Sequence, residues 1–113
     1  MTVKKFHIYL ADLNPRYGTE PGKFLPIVII QTNLLNAVHP STIICPITSQ
    51  VFTDATILRV HLSGKITGLN QPSDILVDQI RAIDNRRIQQ ELGQLTLLQQ
   101  KQLMNNLSIL LLE

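Results

Sequence analysis

Cysteines, metal-binding spacings, long apolar runs and a strong charge imbalance are all lacking in this chain, and each shortage removes a class of protein. A single cysteine, Cys45, cannot close an internal disulfide, so no disulfide framework holds the fold. Its neighbours Ile43, Ile44 and Ile47 place it inside a strand, where a thiol behaves as a small buried hydrophobe and not as a nucleophile. The three histidines, His7, His39 and His61, lie far apart in sequence, and neither CxxC, nor HExxH, nor a glycine-rich turn leading into a helix occurs. Nothing therefore signals a metal or a cofactor. No segment approaches the ~20 consecutive apolar residues of a membrane span. The opening Met1-Thr-Val-Lys-Lys-Phe-His7 also lacks the apolar run of a signal peptide, so a soluble, cytoplasmic protein with no membrane partner is expected. A formal charge of +2 and a pI of about 8.9 permit a polyanionic partner without requiring one.

What is present suits one domain spanning 1–113, with 44% hydrophobic residues and roughly two-thirds of the unfolded chain's surface buried on folding. Residues 6–13 alternate imperfectly, as a half-buried strand does. Residues 14–24 hold Pro15, Gly18, Pro21 and Gly22 and read as a loop. Pro26–Gln31 and Ser41–Thr48 are β-branched runs of the kind buried on both faces, and Pro46 in the second implies an edge or a bulge. Thr56–Leu62 alternates, with Ile57, Arg59 and His61 on one face and Leu58, Val60 and Leu62 on the other. Residues 63–73 form a second loop and 74–83 a further strand. Thr96-Leu-Leu-Gln99 matches a capping box, after which Leu97, Met104, Leu107 and Leu111, helped by Leu103 and Leu110, fall on one helical stripe. Strands followed by a last helix predict a β-rich α+β fold: a small barrel or strongly bent sheet carrying a C-terminal helix.

Three blocks resemble the MazF/PemK family of toxins: Ala11–Gly22 leading into Pro26–Gln31, then Cys45-Pro-Ile-Thr-Ser-Gln50, then Leu76-Val-Asp-Gln-Ile-Arg-Ala-Ile-Asp84. No single block is specific, but the three in this order and separation are. The resemblance runs from about Lys5 to the C-terminal helix. It implies an SH3-like barrel of the CcdB/PemK type, a homodimer, and a metal-independent endoribonuclease that cuts single-stranded RNA at short sequences. It also implies a cognate MazE-like antitoxin that occupies the RNA groove.

Metal-free RNA cleavage uses the 2′-hydroxyl as nucleophile. The protein must accept its proton, steady the phosphorane charge and protonate the leaving oxygen. Carried onto this sequence, the resemblance puts the phosphate-donating hydroxyl at Thr48, with Ser49 and Gln50 beside it in the groove. Gln79 matches a position that holds RNA or the strand at the groove floor, and Asp78 an acidic position proposed as a base in some relatives. Arg16, Thr19, Glu20 and Arg81 complete the implied RNA-binding set, Arg81 having an alternative as a structural partner of Asp84. Arg86 and Arg87 add to a basic rim or form a solvated pair.

One departure stands out. Most relatives carry an arginine immediately before the proline that opens the second strand, and here Gly22-Lys-Phe-Leu-Pro26 puts Leu25 there. Leucine neither binds phosphate nor protonates a leaving group. Lys23, a flexible point charge, and Arg16 are the two candidates to replace it. The alternatives are a catalytically weakened paralogue that binds RNA or antitoxin without cutting and, with no specific sequence support, a CcdB-like gyrase poison.

Overall fold

The computed structural model describes residues 2–15, 18–19, 23–63 and 68–113. Seven antiparallel strands form the body: β1 (His7–Asp12), β2 (Phe24–Ile29), β3 (Ser41–Thr48), β4 (Arg59–Leu62), β5 (Ser73–Leu76), β6 (Arg81–Asp84) and β7 (Ile88–Gln94). A short helix α1 (Asn33–Asn36) links β2 to β3, and α2 (Leu97–Leu112) closes the chain. The strand order is β4-β5-β3-β2-β1-β7, with β6 also on β3. The sheet is thus a partly open barrel with a C-terminal helix, the architecture expected. No helix of the described residues is long and apolar enough to cross a membrane.

Strand β3 explains the shape. Its first half pairs with β6, up to Ile44↔Arg81, and its end pairs with β5 through Ile47↔Ile75 and Thr48↔Asp74. Its other flank pairs with β2, where Pro46 faces Ile27. Pro46 is therefore in a central strand and not at an edge or bulge: its missing N–H is tolerated because the partner on one flank changes at that point. The expected single strand 74–83 is likewise divided, since a 3-10 turn at Val77–Gln79 lifts the chain from β5 to β6.

Alternate residues of the strands bury in two clusters. Ile8, Val28, Cys45, Ile47, Val60 and Ile75 pack with Leu103 and Leu107 of α2. Tyr9, Ala11, Ile27, Ile29, Ile44 and Ile83 fill the other face. Burial on both faces accounts for the continuous β-branched runs, and it makes β1 more than half-buried. Cys45 is fully buried, and that burial pushes its thiol up to about 12, which fits the inert thiol expected.

Two local expectations need correction. Strand β4 begins only at Arg59, so Ile57 and Leu58 lie in a bend and stay exposed. The capping box is present, with Thr96 Oγ1 accepting from Gln99 N at 3.2 Å and Gln99 Oε1 from Thr96 N at 2.8 Å. The helix, however, turns Leu97, Met104 and Leu111 outward and buries Gln99, Leu103, Asn106 and Leu107. Leucines on nearly every side leave periodicity unable to choose the face; Asn106 Nδ2, donating to the carbonyls of Thr56 and Arg59, helps choose it.

Candidate functional site

Thr48 ends β3 partly buried, and its Oγ1 accepts from Gln50 N at 3.1 Å. This is the local bond a strand-end threonine makes, and it leaves the hydroxyl hydrogen free to donate elsewhere. Extending the β2–β3 register two residues past Ile27↔Pro46 brings Leu25 opposite Thr48. Leu25 is partly buried against the second core cluster. The position for which the family resemblance implies a cation thus holds an apolar side chain, facing the candidate hydroxyl in the extended register.

A cavity of about 420 Å³ opens at this end of the sheet, lined in part by Leu25, Pro26, Ser49, Gly68, Gln71 and Leu92. Ser49 faces it, whereas Gln50 is exposed and gives its carbonyl to Arg59 Nη1 at 2.8 Å. Lys23 is exposed in the left-handed region at φ 67°, its N–H on Asn14 Oδ1 at 2.7 Å and its carbonyl accepting from Leu13 N at 2.8 Å. The backbone of Lys23 is therefore pinned two residues before Leu25, while its ammonium stands on the surface. Thr19 is exposed in a turn. Arg16 and Glu20 lie outside the described residues, as do Pro21 and Gly22 of the same loop.

Asp78 is exposed and Gln79 partly buried on the 3-10 turn between β5 and β6. Arg81 opens β6 opposite Ile44, and its Nη1 is buried with no hydrogen-bond partner among the described residues. The alternative pairing of Arg81 with Asp84 does not form. Asp84 accepts instead from Arg86 Nε and Nη2, both at 3.0 Å, and Arg86 holds its carboxyl down at about 2. Arg87 is committed too, donating through Nη1 to the carbonyls of Asp12, at 3.0 Å, and Asn14. Arg87 is therefore held against the loop, whereas Arg86 is ion-paired with Asp84 but keeps a solvated side chain.

The sequence reading missed a cluster next to Thr48. Asp74, fully buried, accepts from Phe52 N at 3.0 Å and Arg59 Nη1 at 3.1 Å on Oδ2, and lies 2.6 Å from His61 Nδ1 on Oδ1. Arg59 also stacks over the Phe52 ring at 4.7 Å. Together these contacts fasten the loop that follows Thr48. Alternation had put Arg59 and His61 on one face, but a lone Asp74 at a strand start gave no sign that it would sit between them. The other histidines are elsewhere, His7 on Glu91 and His39 on Ser41, and among the described residues no group of His, Cys, Asp and Glu is placed to hold a metal ion.

Comparison with known proteins agrees with this geometry. Residues 4–111 match the family model described as PemK-like, MazF-like toxin of type II toxin-antitoxin system. Endoribonuclease EndoA of Bacillus subtilis (strain 168) is 36% identical over 88 residues, covering 78% of this chain and 76% of that protein. The crystal structure of MazF (Form-I) from Deinococcus radiodurans superposes with a TM-score of 0.84 at 21% identity, over 98% of this chain and 97% of that one. A MazE-MazF complex (Form-II) from the same organism gives 0.78 at 22% identity, over 98% and 96%.

Proposed function

Since the chain belongs to the PemK-like, MazF-like toxins of type II toxin–antitoxin systems, we propose that it is a sequence-specific endoribonuclease that cuts single-stranded RNA, mRNA above all, without a metal ion. The 2′-hydroxyl attacks the adjacent phosphorus, the bond to O5′ breaks, and the products are a 2′,3′-cyclic phosphate and a 5′-hydroxyl. Thr48 donates to the scissile phosphate, and Lys23 or Arg16 supplies the cation that Leu25 does not. Ser49, Gln50, Thr19, Glu20, Asp78, Gln79 and Arg81 line the path of the RNA. The observation that carries this reading is a Thr48 hydroxyl free to donate, between Ile47 and Ser49 that line an open cavity, in a chain 36% identical to an endoribonuclease.

The partners follow from the same reading. An antitoxin of the MazE kind covers the RNA groove, as expected from relatives solved as MazE-MazF complexes. A second copy of the chain covers apolar surface that one copy leaves bare, such as the exposed Leu97, Leu98, Met104 and Leu111 of α2.

A second reading has its own support: Leu25 packs into the core cluster beside Thr48, which suits a weakened paralogue that grips RNA or antitoxin without cutting. Incubation with a long single-stranded RNA in EDTA, beside Thr48→Ala, separates the two. New 5′ ends that survive chelation and vanish in the variant support the nuclease. Intact RNA with a folded protein supports the binding module.

A further inference from the structure

A cleft of about 270 Å³ opens where β4 meets α2, with Thr53, Thr56, Arg59, His61, Gln102 and Asn106 in its lining. Register places it in line with Thr48. Thr48 pairs with Asp74 across β3–β5, and Asp74 with His61 across β5–β4, so the three side chains form one cross-strand row on one face of the sheet. Two strand spacings, about 10 Å, separate the ends of that row. A nucleic-acid strand seated on Thr48 and passing over the loop that covers Asp74 reaches this cleft with its neighbouring nucleotides.

The polar groups of the cleft are fixed in advance. Asp74 is fully buried and already accepts from Phe52 N and Arg59 Nη1. The Asp74 carboxylate is the acceptor for His61 Nδ1 as well, and in that tautomer Nε2 of the ring is an acceptor. The imidazole is 41% exposed. Both hydrogen bonds of Arg59 to Gln50 and Asp74 come from Nη1, and a guanidinium carries further N–H donors on its other nitrogens. An exposed acceptor beside a positioned cation is the complement of a ribonucleotide, which offers a hydroxyl donor next to an anionic phosphate.

We propose that this cleft is a ribonucleotide subsite flanking the one at Thr48, in which His61 Nε2 accepts from a ribose 2′-hydroxyl and the Arg59 guanidinium meets the adjoining phosphate. The inference rests on the reading of the chain as an RNA-binding toxin. Its consequence is that the protein distinguishes RNA from DNA at a nucleotide it does not cut, independently of the nucleophile's own 2′-hydroxyl.

The test is binding, with Thr48→Ala preventing turnover. A short single-stranded RNA selected for binding is compared with a series in which one nucleotide at a time is 2′-deoxy. One position away from the cleaved bond weakens binding roughly fivefold when deoxygenated, the size of one neutral hydrogen bond. The partner variant is His61→Asn, whose amide reaches Asp74 as Nδ1 does but has no atom at Nε2. It binds the all-ribose strand roughly fivefold more weakly and becomes indifferent to the deoxy position. Arg59→Gln lowers the log–log salt dependence of binding by about 0.7, the value of one lost phosphate contact on a single strand, while His61→Asn leaves that slope unchanged. A deoxy effect undiminished in His61→Asn, or no sensitive position outside the cleaved nucleotide, overturns the subsite alone. Failure to bind any RNA overturns the subsite together with the function it rests on, and cleavage by the parent protein tells the two apart.

Discussion

Arg59 Nη1 and Asp74 Oδ2 meet at 3.1 Å with the carboxylate wholly removed from solvent, and the same nitrogen donates to the carbonyl of Gln50 at 2.8 Å. One cation thus ties the β4–β5 hairpin to the loop that follows Thr48. Removing the acid leaves Arg59, His61 and Phe52 N without their acceptor. Asp74→Ala is expected to cost about 3–5 kcal/mol, the usual penalty for breaking a buried ion pair from one side. Urea unfolding measures it. A loss below about 1 kcal/mol would mean that solvent reaches the pair.

Gly68 supports the cavity from a different direction. It sits at φ 79°, where a side chain is strained, and a Cβ there would lie 2.0 Å from the Leu92 carbonyl oxygen. Leu92 is skipped in the β1–β7 register, between Gly93 and Glu91. Its backbone belongs to an edge strand, and relieving the clash means shifting that strand. Gly68→Ala is expected to destabilise by about 1–3 kcal/mol and to weaken RNA binding through the cavity both residues line. Unchanged thermal unfolding in the variant would show that the loop adapts without strain.

How far the sequence led can be judged from particular elements. Pro26–Gln31 and Ser41–Thr48 were legible because burial on both faces demands β-branched runs, and the capping box was legible because its two bonds are local. Strand β7, Ile-Gln-Gln-Glu-Leu-Gly-Gln, carries no strand signal. It is mostly exposed and exists through its pairing with β1, a contact between the two ends of the chain. At the site, Thr48 and its neighbours came from matching motifs. The Asp74–Arg59–His61 cluster came only from register, because two strands separated by a long loop must first be aligned.

Tyr9 provides a pH test of the core. Burial, then its bond to Glu91, pushes the hydroxyl from 10.0 up to about 12, against the opposing bond from Lys4 N. The folded state therefore holds this proton where the unfolded chain has lost it. Tyr9's contribution is complete below pH 10.0 and is lost as pH rises through about 12. Urea unfolding of the parent against Tyr9→Phe across that window should show the parent losing its advantage with rising pH. Parallel curves would place the hydroxyl in water.

Leu25 is the sharpest test of the proposed function, because the register sets it opposite Thr48 while the core holds it partly buried. If the remaining groups form a complete site, Leu25→Arg places a guanidinium beside the phosphate and raises the cleavage rate on the order of 10²- to 10³-fold, the value of one preorganised donor. The gain must disappear in the double variant with Thr48→Ala, since the new cation acts on a phosphate that Thr48 positions. Lys23→Gln then shows which cation serves the parent: it slows the parent and leaves Leu25→Arg nearly unaffected if Lys23 is the substitute, and changes neither if Arg16 is. Thermal unfolding of each variant guards against a misfolded core. A folded Leu25→Arg protein with no gain over the parent would mean that the site lacks more than one group, and the binding module would then be the better reading.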